Sequence, residues 1–393
     1  MTGPTTGAGT TSSQVLVARN AVAVVFALNG LCFATWVSRI PEVRDDLGLT
    51  NGRLGLLLLA IAAGSVLAMP TTGALINRFG TIAVTRFGLS SAVLGLVTAA
   101  MGASEGIVPL TALGLFAYGV GTGVWDVAMN VEGAAVERGL GRTIMPRFHA
   151  GFSLGTVLGA GVGALVIWLG LPMLAHLGGV AVLAFGVVWT RARSFLPVEP
   201  EPEGGHSSAW TAWREPRTLL IGLMVFALAL TEGTANDWLA LALVDGYDVA
   251  HWVGVTGFAL FVTAMTLGRL LGTQLLDRFG RLAVLWSTMA AAAGGVVLIV
   301  YGGAVGAVAG IALWGVGASL GFPVGMSAAA DDPIRAAARV SVVSTIGYGA
   351  FLGGPPLLGF VADRVGTLEA LLVVAVLLVP SALVVPAARE PGR

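Results

Sequence analysis

Leu75-Ile-Asn-Arg-Phe-Gly80 and Leu275-Leu-Asp-Arg-Phe-Gly280 are nearly the same six residues, written twice at a spacing of 200. The match extends outward at the same offset: Ala83-Val84 recurs as Ala283-Val284, and Val25-Phe-Ala-Leu28 as Val225-Phe-Ala-Leu228. Further along, Gly119-Val-Gly121 pairs with Gly315-Val-Gly317, and Gly163 with Gly359, both 196 apart. Matches that keep chain order at nearly constant spacing mark an internal duplication.

Composition says what was duplicated. Of 393 residues, 56% are apolar and 11% charged, and the mean hydropathy is +0.88. Soluble proteins carry about a quarter charged residues, so this chain cannot clothe a water-facing surface of its size. A helix that crosses the hydrocarbon needs ~20 largely apolar residues. Twelve runs qualify, six on each side of the polar stretch 191–217, which contains Pro197, Pro200, Pro202, Gly204 and Gly205. The expected fold is an all-α membrane protein of 12 transmembrane helices in two pseudo-symmetric six-helix bundles. The first bundle is expected over 1–190 and the second over 218–393, joined by a cytoplasmic linker at 191–217. Parallel six-span repeats are a layout of secondary transporters.

Several chemistries are excluded by what is missing. All 21 basic residues are arginine. Without lysine there is neither a Walker A loop nor a Schiff base. One cysteine, Cys32, allows no intramolecular disulfide and no cysteine-rich metal site. The four histidines, His149, His176, His206 and His251, lack metal-binding spacing, and zero net charge argues against nucleic acid as a partner. No nucleophile–base constellation is visible, so the chain is not expected to be an enzyme. The first 14 residues lack a cationic leader region, which makes the first apolar run a retained span. With both ends inside, 16 arginines fall on inner segments and four on outer ones, Arg39, Arg44, Arg53 and Arg364. The positive-inside rule then places both termini in the cytoplasm, with the cell membrane (inner or plasma) as the expected location.

The short loop Gly73-Ala-Leu-Ile-Asn-Arg-Phe-Gly80 resembles the signature between the second and third spans of the major facilitator superfamily, and the second copy matches it through Leu275, Asp277, Arg278 and Gly280. The first copy has Asn77 where the family usually carries aspartate. Within the superfamily, Asn130-Val-Glu-Gly-Ala-Ala-Val-Glu-Arg138, Glu232-Gly-Thr-Ala-Asn-Asp-Trp238, Gly317-Ala-Ser-Leu-Gly-Phe-Pro323 and Arg339-Val-Ser-Val-Val343 look like the YbjJ-like branch, related to fucose-permease-like transporters. That resemblance implies a cavity lined by spans 1, 4, 7 and 10. Fucose-permease-like proteins use acids in the first and fourth spans; Asp126 matches the fourth, while the first span here offers Asn29.

Charges inside a span are expensive and mark candidate sites. Four qualify: Asp126, Glu232, Asp237 and Arg269. Asp126, about 9 Å from the inner face, is a candidate proton or substrate contact beside Trp125. Glu232 lies past the bilayer centre and shares a helical face with Asn236. Asp237 and Trp238 are expected near the outer interface. Arg269 lies at a depth close to that of Asp126, so the two are expected to pair across the cavity, leaving Glu232 to carry the exchanged proton. His149 can titrate near neutral pH. Trp125 and Trp314 offer aromatic surface to a ligand or to packing, and Trp36, Trp168 and Trp252 suit an interfacial belt. The loops holding Asn77, Arg78, Gly80, Asp277, Arg278 and Gly280 are expected to gate the inner side, with Asp277 and Arg278 forming a closing contact. Glycine rows at four-residue spacing suit close helix packing, and Pro323 and Pro355-Pro356 are candidate bends.

The function expected is secondary active transport of a small organic solute, in either direction, by a monomer in the lipid bilayer. No cofactor is expected beyond a proton gradient. The alternative is a transport-dead receptor that binds a small ligand in the same cavity.

Overall fold

The computed structural model describes residues 12–141, 144–196, 209–332 and 335–390. Residues 197–208 of the expected linker lie outside the described residues. All regular structure among the described residues is helical. The first bundle comprises α1 (Ser12–Val37), α2 (Ile40–Asp46), α3 (Asn51–Ser104), α4 (Val108–Leu140), α5 (Met145–Trp168) and α6 (Met173–Arg191). After a short α7 (Ala209–Ala212), the second bundle comprises α8 (Pro216–Tyr247), α9 (His251–Tyr301), α10 (Gly303–Ala318), α11 (Gly321–Ala329), α12 (Ala336–Val365), α13 (Thr367–Ala370) and α14 (Leu372–Val384).

The repeated hexapeptide explains the two longest elements. With 54 residues, α3 would run about 81 Å if straight, far beyond one bilayer. It turns at Gly80, whose φ of 79° and ψ of 161° are open only to glycine. Gly280 breaks α9 with φ 76° and ψ 163°. Each long helix is therefore two spans joined at the signature loop. Among the described residues, eleven helical segments are long and apolar enough to cross a membrane, and Asn51–Ser104 is long enough to cross twice, which gives the twelve spans. Leu67, Val182, Val305 and Leu383 stand exposed on the outside, as a lipid-facing surface requires.

The duplication is visible in packing as well. Trp125 on α4 is fully buried against the second arm of α3, where a Cβ on Gly88 would sit 2.7 Å from its backbone nitrogen. Trp314 on α10 is buried in the same way against Gly295 on α9, again at 2.7 Å. Both tryptophans are buried inside their own bundles, which fits packing, one of the two roles the sequence left open. The glycines let the helix backbones meet there: a Cβ at either position would strike the backbone of the facing helix.

Each bundle also ties its third span to its fourth and to a bundle end through a carboxylate, fully buried in the first and partly exposed in the second. In the first, Glu132 accepts a hydrogen bond from Thr81 Oγ1 at 3.0 Å and from the Leu196 backbone N–H. In the second, Asp331 accepts from Arg281 Nη1 at 3.0 Å and from Arg217 Nη2 at 2.7 Å, and Arg281 also donates to the Ala388 carbonyl. Thr81 and Arg281 are again 200 residues apart. Burial works to raise the Asp331 carboxyl, but the bonds from Arg281 and Arg217 outweigh it and hold the group below the ordinary carboxylate range.

Candidate functional site

The bundles meet along two seams, α3 against α12 and α5 against α9, with α2 touching α8. At one end the seam is bonded shut. Arg44, at the end of α2, grips Asp245 of α8 with both terminal nitrogens at 2.6 and 2.9 Å. Asp45 Oδ2 lies 3.1 Å from His251 Nε2. Asp245 also accepts from Thr367 Oγ1, which accepts from Asn51, and Asp363 accepts from the Gly52 N–H at 2.9 Å. The backbones almost touch there, because a Cβ on Gly55 would lie 2.4 Å from the Pro355 carbonyl and one on Gly359 would lie 2.4 Å from the Asn51 carbonyl. Only side-chain-free positions permit that approach.

The opposite end holds the first and last described residues and the signature loops. Asn77, Arg78, Asp277 and Arg278 are all exposed there. Each arginine lies over its neighbouring phenylalanine, Arg78 at 5.3 Å from Phe79 and Arg278 at 5.2 Å from Phe279. Among the described residues, Asp277 and Arg278 form no closing contact with the other bundle.

Between the two ends lie two cavities that share Tyr348 of α12. The one nearer the open end, about 480 Å³, is lined by Asp126, Asn130 and His149 with Tyr348 facing them from the other bundle. The one nearer the closed end, about 200 Å³, is lined by Phe33, Trp36 and Tyr118 from the first bundle and by Asp237, Tyr348 and Phe351 from the second. Tyr348 lies between Phe322 and Phe351, with ring centres 6.4 and 6.3 Å away.

The carboxylates therefore stand differently from expectation. Arg269 does not pair with Asp126. Its Nη2 donates to both oxygens of Glu232 at 3.0 Å, joining α9 to α8 inside the second bundle. The reason lies one helix away. Pro323 has no N–H to satisfy the Ser319 carbonyl four residues earlier, which separates α10 from α11. Arg269 Nε supplies that missing donor at 3.3 Å, and Glu232 balances its charge. Glu232 is thus held by a cation rather than left alone. Asn236, one turn on, is buried.

Asp237 sits on the central cavity rather than at a helix end, because α8 continues ten residues further, to Tyr247. It has no hydrogen-bond or ion-pair partner among the described residues. Asp126 has only Asn130 of its own helix, which donates at 3.4 Å to its side chain and at 2.8 Å to its carbonyl. His149 is exposed to the larger cavity, edge-on to Phe26 at 5.3 Å. Asn29 is buried, with its amide 3.8 Å from Met129 sulfur, and lines neither cavity. Trp36 and Trp238 are buried rather than at the belt, whereas Trp168 and Trp252 are exposed as an interfacial belt requires. The structure brings Asp126 and His149 together, and separately Asp237 with an aromatic wall. Sequence reasoning missed Tyr348, Phe351 and the Arg44–Asp245 clamp. One of only four tyrosines, placed in mid-span, was the available signal for the first.

These features agree with known proteins. An uncharacterized MFS-type transporter of Yersinia pestis is 34% identical over 344 residues, covering 86% of this chain and 88% of that protein. Among solved structures, the nucleoside transporter NupG superposes with a TM-score of 0.75 at 15% identity, covering 94% of this chain and 98% of that one. FucP in its outward conformation superposes at 0.67 with 16% identity, covering 96% and 100%. The profile of the Major Facilitator Superfamily matches residues 22–355, so this chain belongs to that superfamily, as a multi-pass membrane transporter and not an enzyme.

Proposed function

We propose that the chain is a proton-coupled secondary transporter of a small organic solute that works by alternating access in the cell membrane, both termini in the cytoplasm, and that this structure is its inward-facing state. The observation that carries this is the polarity of the interface. The polar contacts between the bundles gather at one end, around Arg44 and Asp245, while the larger cavity with Asp126 and His149 lies toward the other. The arginine-rich loops and the first and last described residues are on that open side, which the positive-inside rule makes the cytoplasmic one.

Proton coupling needs a carboxyl that is free to change its charge. Glu232 is engaged by Arg269, so the role falls to Asp126, which faces the accessible cavity without a cation. An ionised carboxylate in such a place is costly, and protonation or a ligand removes the cost. That ties its occupancy to the side that is open. Reconstituted wild type should accumulate a solute from a candidate panel when a pH gradient is imposed. Asp126→Asn should lose that accumulation and keep solute counterflow, which needs no net proton movement. Full pH-driven accumulation by Asp126→Asn would remove Asp126 from the coupling role. Saturable binding without flux in any format would favour a receptor.

A further inference from the structure

The sign and lining of the central space go further than transport itself, and the substrate class they favour presupposes that the chain is a transporter. Three cations of the interior and the closed end are committed: Arg269 to Glu232, Arg44 to Asp245, and the fully buried Arg39 to Glu42 and His176. None of the three lines either cavity. The two cavity carboxylates, Asp126 and Asp237, have no counter-charge from another helix. A site for an anionic solute would show the reverse arrangement, a free arginine and no free acid.

We propose that the smaller cavity takes the charged head and ring of an organic cation, an amine or ammonium on an aromatic body, with the positive group facing Asp237. Its surroundings suit that chemistry twice over. Trp36, Phe33, Tyr348 and Phe351 line the same space, and aromatic faces attract desolvated ammonium groups as well as rings. At about 200 Å³ the cavity exceeds the roughly 150 Å³ that holds benzene in an engineered core, so a ring with a short chain fits. A metal ion does not fit: the described residues contain no group of three or more His, Cys, Asp or Glu that could hold one, and hard cations need several oxygen ligands. Tyr348, shared with the larger cavity, is where such a solute passes toward Asp126.

The test uses three probes of one shape and three charges: 3-phenylpropan-1-amine, 3-phenylpropan-1-ol and 3-phenylpropanoate. Binding is measured by calorimetry on the purified full chain in nanodiscs. The amine should bind about tenfold or more tightly than the alcohol, and the carboxylate should not bind. Asp237→Asn should erase the amine's advantage and leave the alcohol unchanged. Phe351→Ala should weaken amine and alcohol alike. Equal binding of amine and alcohol, tighter binding of the carboxylate, no binding of the amine, or an unchanged amine affinity in Asp237→Asn each overturns the proposal. If Asp237→Asn does not fold, the wild-type preference between the three probes decides. Failure here is distinct from failure of the transport reading. Flux of an anionic solute without amine binding would sink the substrate class alone, and amine binding without any flux would sink transport alone.

Discussion

Gly55→Ala should push this transporter out of the state seen here. The added Cβ would lie 2.4 Å from the Pro355 carbonyl oxygen, and 2.9 Å from both the Pro355 carbonyl carbon and Pro356 Cα. Real Cβ contacts essentially never fall below 3.0 Å, so α3 and α12 would have to part by at least 0.6 Å (3.0 less 2.4). All three obstructing atoms are backbone and cannot rotate away. Forcing an extra carbon into such a contact costs about 1–3 kcal/mol. The cost arises only while the Arg44–Asp245 end is closed, because opening that end separates the two helices. A penalty confined to one state moves the equilibrium by about 5- to 150-fold. Gly359→Ala, whose Cβ would meet the Asn51 carbonyl at 2.4 Å, should do the same. The control is Gly155→Ala, with a Cβ 1.9 Å from the Ala27 carbonyl inside the first bundle. That contact belongs to both states, so this variant should lose thermal stability without changing the balance. Spin labels on Asp46→Cys and Ala250→Cys, both exposed at the closed end, report the opening as a distance distribution. The native Cys32 is buried and should label little. Unchanged distances in both Gly55→Ala and Gly359→Ala, with stability losses like that of Gly155→Ala, would refute the reasoning.

The other expectations concern the second bundle. Pro323→Ala returns an N–H to the Ser319 carbonyl and should straighten the α10–α11 junction; with Arg269 no longer needed there, solute flux should fall by about tenfold while thermal stability stays level or rises. Glu232→Gln leaves Arg269 half-buried without its counter-ion and should cost about 1–3 kcal/mol in thermal unfolding, of which the double variant Glu232→Gln/Arg269→Gln should recover most. An unchanged melting temperature in the single variant would show that the pair is not structural. The low-lying Asp331 carboxyl contributes stability that is complete above the unfolded value near 4 and is lost as pH falls through its depressed folded value. The difference in melting temperature between wild type and Asp331→Asn should therefore hold from pH 7 to about 5 and close below about pH 4. A difference that grows on acidification would contradict the assignment.

The architecture was legible because lipid constrains it twice. Apolar length announces each span, and the signature glycines, Gly80 and Gly280, had to sit where the chain reverses. The site was legible in part. Intramembrane charge picked out Asp126, Glu232, Asp237 and Arg269, and all four are interior, but their partners were not deducible from depth along a helix. Depth paired Arg269 with Asp126; azimuth pairs it with Glu232, because Pro323 leaves a carbonyl on that side to be satisfied. Asp237 looked like a helix-end charge because the apolar run stops near Leu243, whereas the helix itself continues to Tyr247. The clamp residues Arg44 and Asp245 carried no signal: 201 residues apart, they read as ordinary loop charges until the fold sets them face to face.

What the two ends do not share is as informative as what they hold. A two-state carrier needs its states within a few kcal/mol of each other, or one side is never visited. The closed end holds, between the bundles, a bidentate ion pair, a histidine–carboxylate contact and hydrogen bonds from Asn51 to Thr367 and from Gly52 to Asp363, all of which must break on opening. Partly exposed contacts of this kind are worth about 1 kcal/mol or less each, so their loss is recoverable. The recovery has to come from the other end, where Arg78, Asp277 and Arg278 are exposed and reach no partner in the opposite bundle among the described residues. Those loops are anchored one residue past each glycine turn, Thr81 to Glu132 in the first bundle and Arg281 to Asp331 in the second. The duplicated anchors hold the loops' bases in place whether or not the bundles meet there. With Asn77 in the first copy, Asp277 is the one carboxylate that the two signature loops themselves offer to a contact that would close that end, so the expected asymmetry lies in the second copy.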